Sequence, residues 1–332
     1  MDAFDGRAIL AILAMLCGWP SDVAARDVSL EEVIEAVREK ERLYRDVEVK
    51  SKYSYVAEQP EDQYVKQALR SYTTASRSVS QGDLYYFREA GARTTFEGAK
   101  GHDLDEIAGY DGKVTRFNHN GEYANIYHGR AESQTFYRPH MLPFRQSVGA
   151  PLSLYLRGGK ELSKHPLSGP YHERAILTVK LDGHEAVDGI ECLKIRCESR
   201  YRERPEDPGS LGLLWLAPSR NYLPLKFESY AVDYSSTLPM VSGRVEELRE
   251  FSPGAWYPSR YKDLVYDRAS LREGKHILIR SDTIEVESVA PTGTYPVTFF
   301  GDVPIPDGLP VYEIEGEKIV KSYIQGEAPD AK

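Results

Sequence analysis

The groups able to do chemistry in this 332-residue chain are scattered. Eight histidines occur: His102, His119, His128, His140, His165, His172, His184 and His276. None is paired at i, i+2 or i+4, and no His-Glu-x-x-His or Cys-x-x-Cys run occurs, so no local zinc-ligand spacing is present. A Gly-x-Ser-x-Gly elbow and a glycine-rich phosphate loop are equally missing. Acidic clusters such as Asp103, Asp105 and Glu106 read as solvated loop charge, since the two carboxyls of a glycosidase meet in space and not by spacing. Cys192 and Cys197 stand five residues apart, on opposite sides of a strand, and read as two separate core thiols. These signs describe a non-enzymatic chain that calls for no cofactor and no metal.

The first 25 residues differ from the rest. Ala8–Trp19 carries no charge, follows Arg7, and is shorter than the roughly 20 apolar residues that span a bilayer. Val23-Ala24-Ala25 supplies small residues where a signal peptidase accepts them, which predicts a signal peptide over 1–25, cleavage after Ala25 and a periplasmic mature chain. Cys17 offers lipid anchoring as the alternative, although Leu16 precedes it where Gly or Ala is wanted. The whole chain has a formal net charge of -9, and removing Asp2, Asp5, Asp22 and Arg7 leaves it acidic. An acidic chain without a basic cluster is a poor partner for nucleic acid. No later run is apolar and long enough for an integral membrane segment.

The elements that must position any site follow from periodicity. Ser29 with Glu32 forms a capping box, and Leu30, Val33, Ile34 and Val37 recur at helical spacing, which predicts a helix over Ser29–Tyr44. The period then drops to two in Val47–Tyr55, the pattern of a half-buried antiparallel strand. Leu84–Arg88 and Arg93–Glu97 continue it, and Asp111-Gly112 and Asn120-Gly121 predict type I′ hairpins. A long loop is expected at about 131–167, with a short helix at Pro151–Leu156. Strands resume at Ala175–Leu181, Ile190–Ser199, Leu211–Ala217, Tyr222–Tyr230, Gly243–Phe251, Trp256–Asp267 and His276–Val289. Twelve or more strands with one early helix predict a mainly β chain. A sheet of that size curls, and the expected form is a curved, open antiparallel half-barrel with the helix as a lid or plug. The expected organisation is one domain over 26–290 and a C-terminal extension over 291–332. The 23 tyrosines, against 10 phenylalanines, suit strands with one buried and one wet side.

Several segments carry a resemblance. The helix running straight into an alternating strand is joined by Tyr110-Asp111-Gly112-Lys113-Val114, by Val187-Asp188-Gly189-Ile190-Glu191-Cys192-Leu193-Lys194-Ile195, and by Leu214–Pro218 with Leu223-Pro224-Leu225-Lys226. In this order, over roughly residues 29–267, they resemble the outer-membrane lipoprotein carrier superfamily, the LolA-like, LolB-like and RseB-like proteins. The resemblance implies an unclosed β half-barrel with a helical lid over an apolar cavity, a periplasmic transport role and an acyl chain or lipoprotein as ligand. No lid-latching arginine is carried over. The chain is longer than the compact carriers, with an insert near 131–167 and an extension after 267.

The leading expectation is thus a lipid-binding carrier. Its cavity would be lined by Leu30, Val33, Ile34 and Val37 from the helix and by Val49, Tyr53, Tyr55, Phe87, Leu193 and Ile195 from the sheet. A plain core would use the same residues. One alternative is an RseB-like sensor or scaffold with an envelope protein partner. Another is a carbohydrate-binding or carbohydrate-active protein, which requires exposed aromatics in a row beside two carboxylates.

Overall fold

The structure, a computed structural model, describes residues 28–58, 71–93, 102–131, 138–144, 151–159, 162, 175–206, 209–316 and 318–327. The expected leader over 1–25, with Cys17 and Ala25, lies outside the described residues, as do Thr94–Glu97 and much of the 131–167 loop.

Helix α1 spans Leu30–Glu41, shorter than the predicted stretch because Arg42–Tyr44 tightens into a 3-10 turn. Its start is as the sequence dictates. The Ser29 hydroxyl accepts from the Glu32 amide, and the Glu32 carboxylate accepts from the Ser29 amide at 2.8 Å.

The strands are β1 (Val47–Ala57), β2 (Tyr72–Gln81), β3 (Leu84–Arg93), β4 (His102–Tyr110), β5 (Val114–His119) and β6 (Tyr123–His128) in the first half. The second half contributes β7 (Ala175–Val187), β8 (Ile190–Tyr201), β9 (Ser210–Ala217), β10 (Leu223–Ala231), β11 (Val241–Ser252), β12 (Ala255–Tyr266) and β13 (Leu278–Pro291). β14 (Pro310–Glu315) and β15 (Lys318–Ile324) follow. Among the described residues all fifteen form one sheet, ordered β15-β14-β6-β5-β4-β3-β2-β1-β13-β12-β11-β10-β9-β8-β7. Two meanders run outward from β1 and β13, which pair antiparallel at the centre. The edges, β15 and β7, do not pair with each other, so the sheet is an open half-barrel.

Turn chemistry sets the hairpins. Asn120 and Gly121 both adopt positive φ, 56° and 69°, as the type I′ expectation requires. The Asp111-Gly112 turn differs: Gly112 alone of the two is left-handed, and the Asp111 carboxylate accepts from the Lys113 and Val114 amides at 2.9 and 2.8 Å. That Asx-type cap makes a wider loop than a two-residue turn.

The C-terminal extension straps the outer face. The short helix α4 (Val297–Gly301) lies against β3–β5, and Phe300 is fully buried there. Gly109 makes this possible, because a Cβ at that position would stand 2.1 Å from the Phe300 carbonyl oxygen. Glu48, Arg77 and Tyr295 then tie the strap down, with Arg77 Nε and Tyr295 Oη each donating to the Glu48 carboxylate at 2.9 Å. β14 finally lies parallel to β6, the one parallel pairing among the described strands.

Two further short helices are α2 (Leu152–Arg157), close to the predicted helix, and α3 (Arg268–Arg272), beside 3-10 turns at Pro139–Phe144 and Pro218–Arg220.

Candidate functional site

The inner face of the curl can be followed strand by strand, because residues directly opposite across antiparallel strands share a face. One row runs Ile195, Leu214, Phe227, Gly243, Asp263, Asp282, Tyr55, Tyr72 across eight strands. Its character changes along the way: apolar at β8–β10, acidic at β12–β13, aromatic at β1–β2.

Helix α1 covers the apolar part. Val33, Ile34 and Val37 are buried against Leu193, Ile195, Leu214, Leu216 and Phe227 in one cluster. α2 adds Leu152, Tyr155 and Leu156, and Leu30 packs on the cluster's margin. The two helices are cross-tied. Arg157 reaches Glu35 at 2.5 Å and Glu31 at 3.6 Å, and the Glu41 carboxylate accepts from the Ser153 hydroxyl at 2.5 Å and its amide at 3.3 Å. The helical layer is therefore linked within itself by polar bonds and held to the sheet by apolar contact. Gly158 ends α2 with φ +59°, and a Cβ there would meet the Leu177 carbonyl oxygen at 2.6 Å.

Val49, Tyr53 and Phe87 belong to a second cluster, with Tyr55 packed against it. Here the floor is polar beneath the rings. Tyr53 Oη donates to Asp282 at 2.8 Å, Arg280 Nη2 pairs with the same carboxylate at 2.6 Å, and Tyr261 Oη donates to Asp263 at 2.5 Å. Thr74 donates to buried Glu89 at 2.5 Å. Gly243 leaves the space that the Tyr261–Asp263 contact fills, since its Cβ would stand 2.1 Å from the Tyr261 hydroxyl. The ten residues named from the sequence thus fall into two sets. Leu30, Val33, Ile34, Val37, Leu193 and Ile195 come together under α1, and Val49, Tyr53, Tyr55 and Phe87 line a separate stretch of the curl.

Clefts open at both ends of α1. Near its start, Leu30, Ile34, Leu156 and Val179 border a space of about 450 Å³. At its end, a cleft of about 160 Å³ is lined by Tyr44, Leu84, Pro139 and Pro151 and by Arg42, Arg45, Arg130 and Arg138. Asn221 organises the wall behind it. In the left-handed conformation (φ 58°), it accepts from the Trp256 amide at 2.8 Å, donates to the Gly254 carbonyl at 2.9 Å, and its own carbonyl accepts from His140 Nε2 at 2.8 Å. That last bond places the proton of His140 on Nε2. Burial pushes the imidazole below its ordinary range against the pull of Glu41 and the Asn221 carbonyl, so it is neutral. Sequence reasoning missed the arginines and Asn221. Arg42 and Arg45 stand three apart after a helix, while Arg130, Arg138 and Asn221 carry no local sign of the cleft they share.

Nucleophilic chemistry finds little here. Burial raises the Cys197 thiol to about 12 and the Cys192 thiol to about 11, far from a reactive thiolate. Among the described residues no group of three or more His, Cys, Asp or Glu is placed to hold a metal ion. Among them, too, no helix is long and apolar enough to cross a membrane.

No family model matches the chain. No curated protein matches it either. Among solved structures, the chain is similar to a DUF1329 family protein from Desulfovibrio piger, at 11% identity and a TM-score of 0.44, over 82% of this chain and 97% of that one. It is similar to a putative outer membrane lipoprotein-sorting protein domain from Vibrio parahaemolyticus, at 12% identity and a TM-score of 0.39, over 82% and 95%. A LolA superfamily protein from Nitrosomonas europaea follows at 13% identity and a TM-score of 0.38, over 82% and 97%.

Proposed function

We propose that this protein is a non-catalytic binding protein or carrier for acyl chains, working in the periplasm on lipids or on the acyl groups of lipoproteins. The observation that carries the reading is the helical layer. Its polar bonds run from α1 to α2, while its underside meets the open sheet through Val33, Ile34 and Val37. Such a layer can lift or slide as a unit, and the surface it leaves is the apolar stretch of β8–β10. An acyl chain offers that surface the same chemistry as the helix, at roughly 0.8 kcal/mol per buried CH₂. The unclosed edge of the half-barrel lets the layer move without unpairing strands.

The test is native mass spectrometry of the mature chain purified from a bacterial envelope, with displacement of a fluorescent acyl probe. Co-purifying masses of fatty acid or phospholipid, displaced by the probe, are the expected result. An apo mass together with no probe binding at any accessible concentration overturns the reading.

A further inference from the structure

Half-buried rings of this chain are repeatedly roofed by its own cations. Arg220 stands 4.2 Å over Trp256, Arg272 4.2 Å over Tyr234 and Lys321 4.7 Å over Tyr323. One run of rings departs from that habit. On the inner face at β5, β6 and β14, Phe117 stacks on His119 with centroids 5.9 Å apart, and His119 on Tyr123 at 4.5 Å. Tyr123 then meets Tyr312 at 6.3 Å and 68°. The run passes from buried Phe117 to Tyr123, which is 38% exposed. Among the described contacts no lysine or arginine lies over any of the four.

Beside them stands a carboxylate without a partner. Glu106 lies directly opposite His119 in the β4–β5 register and so shares its face. The sequence marks Glu106 as solvated loop charge, but it stands half-buried within β4. Among the described contacts its carboxylate makes no hydrogen bond and no ion pair. Glu89, opposite it on β3, is buried and accepts from Thr74 at 2.5 Å, so Glu106 is the acid that faces the rings. His119 does not supply the missing positive charge. Asn125 Nδ2 donates to its Nε2 at 3.3 Å, which leaves the ring proton on Nδ1. Burial pushes the imidazole below its ordinary range against the pull of Glu106.

We infer that Glu106 and the rings of His119, Tyr123 and Tyr312 form a binding site for an organic ammonium ion, free or as the headgroup of a lipid. The charges are complementary twice over. The carboxylate attracts the cation as an ion, and the ring quadrupoles attract it over their faces. A quaternary ammonium suits the site best, because its methyl groups pack on the rings while its charge stays within reach of Glu106. Tyr123 and Tyr312, set at an angle, supply two walls of such a cage. The formal net charge of -9 adds a long-range field of the same sign. The site belongs to β4–β6 and β14, whereas the apolar seat of α1 belongs to β8–β10, so the inference does not depend on the acyl-binding reading.

The experiment is a titration of the full chain, carbon-13-labelled in its histidine rings, followed by nuclear magnetic resonance. The His119 signal is identified by its loss in H119Q. The titrants are choline, glycerophosphocholine, the uncharged choline isostere 3,3-dimethyl-1-butanol, and glucose. Choline is expected to shift the His119 signal saturably, and the isostere to bind at least about fivefold more weakly. High salt should weaken choline and spare the isostere. E106Q and Y123L should each reduce choline binding to about the level of the isostere, while the other histidine signals keep their places and show that the variants are folded. Glycerophosphocholine binding more tightly than choline makes a lipid headgroup the source, and weaker binding makes it a free ammonium compound; both support the site. Equal binding of choline and its isostere overturns the inference, as does choline binding untouched by E106Q. A His119 shift with glucose and none with choline overturns it too, and makes the rings a saccharide platform. No shift with any titrant at accessible concentrations refutes the site and leaves acyl binding standing.

Discussion

At the scale of single residues, Asn221 does the most with the least. One side chain joins the β9–β10 turn to the β11–β12 turn, and its backbone anchors His140. Asn tolerates left-handed φ better than other non-glycine residues, and its amide satisfies a donor and an acceptor at once. Replacement N221A loses both features and is expected to cost about 2–4 kcal/mol in denaturant unfolding. N221G restores the backbone freedom but not the bonds, so it should recover part of the loss. Equal stability of N221G and wild type would show that the side-chain bonds contribute nothing. The titrating groups make a second prediction. Burial alone would raise Glu48, but Arg77 and the Tyr295 hydroxyl outweigh it and hold its carboxyl below the ordinary 4.5. Its contribution is complete above that value and disappears as pH falls through the lowered one. His140, neutral when folded, acts in the same direction from a higher starting point. Below its ordinary 6.5 the unfolded chain takes a proton that the folded chain refuses, so stability declines. Stability measured against pH should therefore fall in two windows, the first below about 6.5 and the second below about 4.5. H140Q should shrink the first window, which His119, also lowered by burial, shares, and E48Q the second, which Asp111, Glu185 and Glu198 share.

At the scale of elements, the helical layer and the outer strap are opposites. α1 and α2 are bound to each other by Arg157, Glu35, Glu41 and Ser153 and to the sheet by apolar side chains. The strap after β13 is bound to the sheet by the Glu48–Arg77–Tyr295 network and by the buried Phe300. Hydrogen exchange separates these two kinds of attachment. Amides of 30–41 and 152–157 should exchange together and earlier than those of β1, β12 and β13. In R157A they should exchange faster and no longer in step, with global stability changed by less than about 1 kcal/mol because the pair is partly exposed. Exchange of α1 in step with the central strands would mean that the layer does not open separately. The sequence foretold α1 clearly, since the Ser29–Glu32 box and the 3.6 period are local signals. It foretold β2 not at all: Tyr-Thr-Thr-Ala-Ser-Arg-Ser-Val-Ser-Gln has few apolar residues, and its burial comes from lying between β1 and β3.

At the scale of the whole molecule, the open half-barrel has two edges and one unusual closure. The chain returns from β13, crosses the outer face and adds β14 parallel to β6. Without that pairing the edge of β6 would be bare, and Val311, now fully buried, would be missing from its place. Unpaired edges invite intermolecular pairing. A chain ending at residue 309 is expected to lose solubility on heating, and to show dimers or larger species by light scattering where the full chain does not. Unchanged colloidal behaviour would mean that β6 needs no cover.

What the sequence determined by itself was the set of elements and the alternation of their faces. Caps, turns and periods arise from residues a few positions apart, and Ser29, Asn120-Gly121 and Val47–Tyr55 each state their structure locally. The curvature could be anticipated from the number of strands. Tertiary structure decided which elements became neighbours: Tyr53 meets Asp282 across 229 residues and Asn118 reaches the Pro304 carbonyl across 186. Such contacts depend on strand order and on a crossing connection, and no short-range preference encodes either. For the same reason the inner wall, uniformly greasy in its alternation pattern, divides on folding into an apolar seat for α1 and a polar, tyrosine-covered floor. The cleft at the end of α1, drawn from five separate stretches of the chain, exists only once the sheet has curled.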